Sequence, residues 1–154
     1  MTKSMQSIFH AQIVAGLKNN CPIRFKVTGN CMKPLIQKGD WVLIEPIIDE
    51  VGLQVGEIVL IDRGVDFVVH RLIRINDSEI LTHGDWSRFP DPPVKFEQIL
   101  GYVVEIEKNG YKFRLNNPFV RIINRINNFI SSLYRKFYSN KGVNYETFNH
   151  SSSK

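Results

Sequence analysis

The chain has 154 residues, 43% of them hydrophobic, which suits one globular domain with a modest core. No stretch approaches the ~18–20 apolar residues of a membrane span, and the N-terminus lacks the apolar run of a secretory signal. The expected compartment is therefore the cytosol, where Cys21 and Cys31 stay reduced, and a disulfide between them is not expected.

The net charge of +5 is unevenly spread. No Asp or Glu occurs between Lys108 and Tyr145, an interval that carries Lys112, Arg114, Arg121, Arg125, Arg135, Lys136 and Lys141. Such asymmetry points to an anionic partner for the C-terminal segment. Two cysteines without a histidine cluster beside them do not make a zinc site. No metal or cofactor is expected.

Residues 4–18 read as a short amphipathic helix, with Ile8, Phe9, Ile13 and Leu17 near one face. Asn19-Asn20 close it and Pro22 prevents its continuation. Its expected role is to cover one end of a sheet. It is too short for a helix-turn-helix domain. Strands are expected at 23–28, 41–45, 57–62, 67–75, 79–82, 102–107 and 111–115. Turn signals at Val55-Gly56, Asn76-Asp77 and Lys108-Asn109-Gly110 separate them. Pro90, Pro92 and Pro93 keep the segment 88–93 from being a central strand. The expected fold is mainly β, a coiled antiparallel sheet or partly closed barrel.

One stretch concentrates the chemistry. Between the strands at 23–28 and 41–45, Gly29-Asn30-Cys31-Met32-Lys33-Pro34 sets a single thiol on a bend. Gly29 permits backbone angles that a side chain forbids, and Pro34 fixes its own φ and biases Lys33 away from helix. A nucleophile is often presented on such a turn, beside exposed backbone N–H groups. A buried, inert thiol in an ordinary loop is the simpler reading of these residues alone. A working thiol also needs a base. His10 lies in the first helix and His150 in the polar tail. His70 and His83 lie in or at the end of strands, and residue spacing does not choose between them.

The run Gly29-x-Cys31-Met32-x-Pro34-Leu35-Ile36-x-x-Gly39-Asp40 resembles the nucleophile box of the signal peptidase I and LexA-like peptidase superfamily. Cys31 stands where that superfamily has serine. Gly56-Glu57-Ile58-Val59-Leu60 is similar to its Gly-Asp-hydrophobic strand, and Val69-His70-Arg71-Leu72 to its base-bearing strand. The histidine there resembles the endoplasmic-reticulum-type signal peptidases, whose base is histidine rather than lysine. Thr82-His83-Gly84-Asp85 and Asp91 resemble the two acidic positions of that branch, and Gly101-Tyr102-Val103-Val104 its closing strand. The likeness spans roughly residues 25–106.

The resemblance implies a peptidase with Cys31 as nucleophile and His70 as base. It implies an aspartate that orients the imidazole, with Asp91 the first choice and Asp85 holding the loop or sharing the role. The Cys31 N–H, with Thr28 or Asn30 nearby, is the expected oxyanion donor. Met32 is expected to pack, and to line a pocket for small side chains. The substrate implied is a leader or propeptide of a precursor protein. A catalytically inactive module that grips an extended peptide along a strand edge is the alternative.

The expected organisation is a helix over 1–22, a β domain over 23–116, a basic amphipathic helix over 117–140 and a disordered tail over 141–154. Asn117 and Pro118 suit a helix start, and Phe119, Ile122, Ile126, Phe129, Ile130, Leu133 and Phe137 follow at helical spacing. Such a helix packs its apolar face on the sheet or lies on anionic lipid as a peripheral contact. Nucleic acid is the least favoured partner.

Overall fold

The computed structural model describes residues 3–48, 53–76 and 79–115. The expected basic helix and polar tail lie outside the described residues. Helix α1 (Lys3–Lys18) is followed by β1 (Ile23–Lys26), β2 (Trp41–Pro46), β3 (Ile58–Asp62), β4 (Phe67–Ile75), β5 (Ile80–His83), β6 (Ile99–Lys108) and β7 (Tyr111–Arg114). The sheet runs in the order β1-β2-β6-β3-β4-β5, with β7 also paired to β6. Every pairing is antiparallel and the sheet does not close.

The longest strand, β6, is the spine. One side of it pairs with β2 from Trp41↔Glu107 to Pro46↔Gly101. Its other side pairs first with β3 at Val59↔Tyr102, then with β7 at Glu105↔Arg114. Register shifts at Leu43/Ile44 and Leu60/Ile61 bend β2 and β3 against it. Gly101 sits at the closest approach. A Cβ there meets the Glu45 carbonyl and comes within 2.7 Å of Ile44 Cγ2.

β3 is apolar on both faces, and both faces are covered. Ile58 and Leu60 join a core with Ile13, Leu17, Met32, Ile36, Val42, Ile44, Val103 and Ile106. Val59 and Ile61 join a second core with Leu53, Leu72, Ile80, Val94 and Ile99. Residues that alternate along a strand point to opposite faces, so one five-residue strand feeds both. Burying each such side chain contributes about 1.5–3 kcal/mol.

The last turns of α1 dock on the core. Ile13 and Leu17 are buried, whereas Ile8 and Phe9 are 59% and 51% exposed. That corrects the expectation that all four cover the sheet. The helix is instead held partway along by His10, whose ring stacks on Phe67 at 4.5 Å and whose Nε2 lies 2.8 Å from Asp62 Oδ1. Among the described residues, no helix is long and apolar enough to cross a membrane.

Candidate functional site

The segment from Val27 to Asp40 is a closed loop. The Val27 N–H donates to the Asp40 carbonyl and the Gly39 N–H to the Val27 carbonyl, both at 2.8 Å. Gly39 has φ 98°, the left-handed conformation that suits glycine. The Asp40 carboxylate accepts the Gln37 N–H at 2.8 Å and lies 3.3 Å from Lys108 Nζ. Lys108 also donates to the Pro34 and Leu35 carbonyls, at 3.3 and 3.2 Å. Met32 and Ile36 pin the loop into the core. Cys31 is half-buried on it, while Cys21 is exposed, and both are free thiols.

Met32 is only 2% exposed and packs among core residues. Its position is that of a packing residue; the pocket-lining role expected from sequence has no exposed surface to rest on. Asn30 Oδ1 accepts the Lys38 N–H at 3.1 Å, so that oxygen serves the loop. Thr28 is exposed at the loop base. Gly29 takes no left-handed φ, and a Cβ on it meets Cys31 Sγ at an ordinary 3.9 Å. The expectation that its backbone demands glycine is therefore corrected.

The crowded glycine is Gly84. A Cβ there comes within 2.9 Å of both the Cys31 carbonyl oxygen and His70 Nε2, and collides with Ser87 Oγ. The turn that follows β5 thus lies against the thiol loop and the imidazole together. The Trp86 N–H fastens it, donating to the Cys31 carbonyl at 2.7 Å.

His70 sits in β4 opposite Val59 and is 6% exposed. Its Nδ1 lies 2.5 Å from Asp91 Oδ2. Its Nε2 is left on the side of Gly84 and Cys31. Burial disfavours its charged form, but hydrogen bonding and charge from Asp91, with a further contribution from the nearby Cys31, outweigh that, raising its pKa from 6.5 to about 9. Asp91 moves the other way. Burial pushes it up, yet hydrogen bonding and charge from His70, the Thr82 hydroxyl and the Arg63 guanidinium bring it below the usual 3.8. An imidazolium beside a carboxylate is therefore the neutral-pH form of the His70–Asp91 pair.

Asp91 comes from the proline-rich segment after β5, and its own N–H donates to the Thr82 carbonyl at 2.9 Å. Its Oδ2 also accepts the Thr82 hydroxyl at 2.7 Å, and its Oδ1 the Arg63 guanidinium at 2.8 Å. Thr82 is fully buried opposite Leu72, on the face of β4 that carries His70. His83 pairs with Arg71 instead, which places it on the opposite face.

Asp85 does not share the orienting role. Both of its oxygens are taken by Arg71, at 2.8 Å from Nε and 2.6 Å from NH2. Arg71 also donates to the Gly56 carbonyl at 2.8 Å. The two side chains are 1% and 3% exposed. This buried fork holds the Gly84 turn to β4 and β3, in keeping with the loop-holding role weighed for Asp85.

Sequence reasoning missed Arg63, the function of the Thr82 hydroxyl and the packing role of Gly84. A strand register would have found Thr82, since it follows from pairing β5 to β4. Nothing in the sequence marks Arg63, which sits in a surface turn and reaches Asp91 only through the folded chain. A cavity of about 240 Å³ between Leu17, Ile47, Phe96 and Leu100 includes none of these site residues. Among the described residues, no cluster of His, Cys, Asp and Glu could hold a metal ion.

No curated protein matches the chain. The model of the Peptidase S24-like family matches residues 6–104, from the first helix to the middle of β6. That span includes Cys31, His70, Asp85 and Asp91, and covers well over half of the sequence. The chain belongs to the Peptidase S24-like family.

Proposed function

We propose that this protein is an endopeptidase that cleaves a leader or propeptide through an acyl-enzyme on Cys31, with His70 as proton carrier and Asp91 as its orienting partner. What carries this is one relationship. The imidazole is held by Asp91 through Nδ1 and is raised to about 9 by Asp91 and Cys31 together. Such a pair favours a thiolate beside an imidazolium.

In the proposed cycle the thiolate attacks the scissile carbonyl and forms a C–S bond. The electron pair moves to the carbonyl oxygen, to which the Cys31 N–H donates a hydrogen bond. That N–H makes no backbone hydrogen bond among the described residues. The intermediate collapses, the C–N bond breaks, and the His70 imidazolium gives its proton to the leaving amine. His70, now neutral, takes a proton from water. The hydroxide attacks the thioester, and the acid product leaves with the thiolate restored. Cysteine in place of the superfamily's serine suits this cycle, because a thiol ionises more readily than a hydroxyl.

A peptide-binding module without turnover is the second reading, favoured by the open sheet, in which β1 is an edge strand among the described residues. Incubation with a mixed peptide library separates the two. New termini that appear with the wild type and vanish with Cys31→Ala support the peptidase. Peptide retention equal in both proteins, with no new termini in either, supports the module. Cys31→Ser is expected to lose most of the rate, since its hydroxyl depends wholly on His70 as base.

A further inference from the structure

Asp91 has two oxygens with unequal duties. Oδ2 receives both His70 Nδ1 and the Thr82 hydroxyl, whereas Oδ1 receives the Arg63 guanidinium. Turning the carboxylate about its last torsion carries Oδ2 off both of its donors, so without Arg63 those two bonds alone oppose the turn. A third donor on the other oxygen fixes that plane. Building on the Cys31–His70 pair above, we propose that Arg63 is a positioning residue, which holds Asp91 so that Oδ2 stays on His70.

The turn that carries Arg63 is itself braced. The Arg63 N–H donates to the Asp66 carbonyl at 3.0 Å, and Gly64 takes φ 82°. The Gly64 N–H donates to Asp62 Oδ1 at 2.7 Å, the same oxygen that meets His10 of α1. Helix, turn, guanidinium, carboxylate and imidazole thus form one continuous chain of contacts ending at His70. The Arg63 side chain is 36% exposed. An ion pair so exposed adds little to global stability. Its loss is therefore expected to register at Cys31 far more than in unfolding.

Iodoacetamide alkylation of Cys31, followed by mass spectrometry on the full chain from pH 6 to 9, tests this without a substrate. Arg63→Ala is expected to slow alkylation at pH 7 by about tenfold, the scale of one hydrogen bond between charged groups. The thermal midpoint should move by no more than a few degrees. Arg63→Lys, which keeps the charge but not the fork, should recover part of the rate. In a His70→Ala background, Arg63→Ala should have no further effect. Alkylation at the wild-type rate in Arg63→Ala overturns the assignment, as does an equal slowing in the His70→Ala background or a slowing matched by lost stability. If His70→Ala alone leaves the Cys31 rate unchanged, the pair itself fails and Arg63 falls with it. If His70→Ala slows alkylation and Arg63→Ala does not, only the role of Arg63 is lost.

Discussion

His70 Nδ1 and Asp91 Oδ2 stand 2.5 Å apart, although His70 lies within β4 and Asp91 in the proline-rich segment that follows β5. The second acidic candidate, Asp85, is wholly engaged with Arg71. Two aspartates of the same region therefore have different work, one electrostatic at the imidazole and one architectural.

Substitution separates them. Asp91→Asn keeps the shape but removes the charge that sustains the imidazolium. Cleavage should fall by roughly a hundredfold or more, with the chain still folded. Asp85→Asn leaves the Arg71 guanidinium buried and uncompensated. It should cost about 3–5 kcal/mol, read as a lower denaturant midpoint. Equal destabilisation by both changes, with equal loss of cleavage, would remove the distinction.

The pH dependence has a definite sign. His70 is raised from 6.5 to about 9, so the stability linked to its charge is fully present below 6.5 and is lost as pH rises through 9. Asp91 is lowered, so its contribution is present above 3.8 and is lost as pH falls through its folded value. Thermal midpoints should decline from pH 7 to 10 in the wild type and stay flatter in His70→Ala. Cleavage should decline over the same upper range, because Nε2 no longer carries a proton for the leaving amine. A wild-type midpoint that stays level through pH 10 would contradict the raised imidazole.

The two glycines beside the thiol offer a contrast. Gly84→Ala forces a Cβ against Ser87 Oγ, the Cys31 carbonyl and His70 Nε2. It should cost about 1–3 kcal/mol and reduce Cys31 alkylation. Gly29→Ala meets the sulfur at 3.9 Å and should be tolerated in both assays. Reversal of that order would mean that the Gly84 turn does not lie against the site.

The acid-free interval from Lys108 to Tyr145 leads to a separate expectation. The chain should cosediment with anionic vesicles weakly, should release with salt, and should ignore neutral vesicles. Equal binding to both vesicle types, or none to either, would remove lipid as its partner.

Much of the fold was legible because its signals are local. Alternation and β-branched residues marked all seven strands, and β4 was expected over its full length, Phe67 to Ile75. β6 begins earlier than expected, at Ile99, because the preceding prolines and Gly101 weaken the strand signal there. At the site, the motifs singled out Cys31 and His70, whose segments meet at Gly84. The choice between Asp91 and Asp85 was not, since it depends on which face of β4 each approaches. Gly29 and Gly84 exchanged importance for a similar reason. A close approach between segments distant in sequence leaves no mark on either one. Arg63 is the clearest case, a surface arginine whose meaning lies entirely in where the β3–β4 turn places it.

The most direct measurement is to trap the acyl-enzyme. A peptide cleaved by the wild type is mixed with it, quenched in acid within the first turnovers, and the intact chain and its fragments are weighed. The Cys31–His70 mechanism predicts a mass increase equal to the N-terminal product's acyl group, located at Cys31 and removed by hydroxylamine. Cleavage that proceeds with no adduct on Cys31, or that continues undiminished in Cys31→Ala, would contradict it.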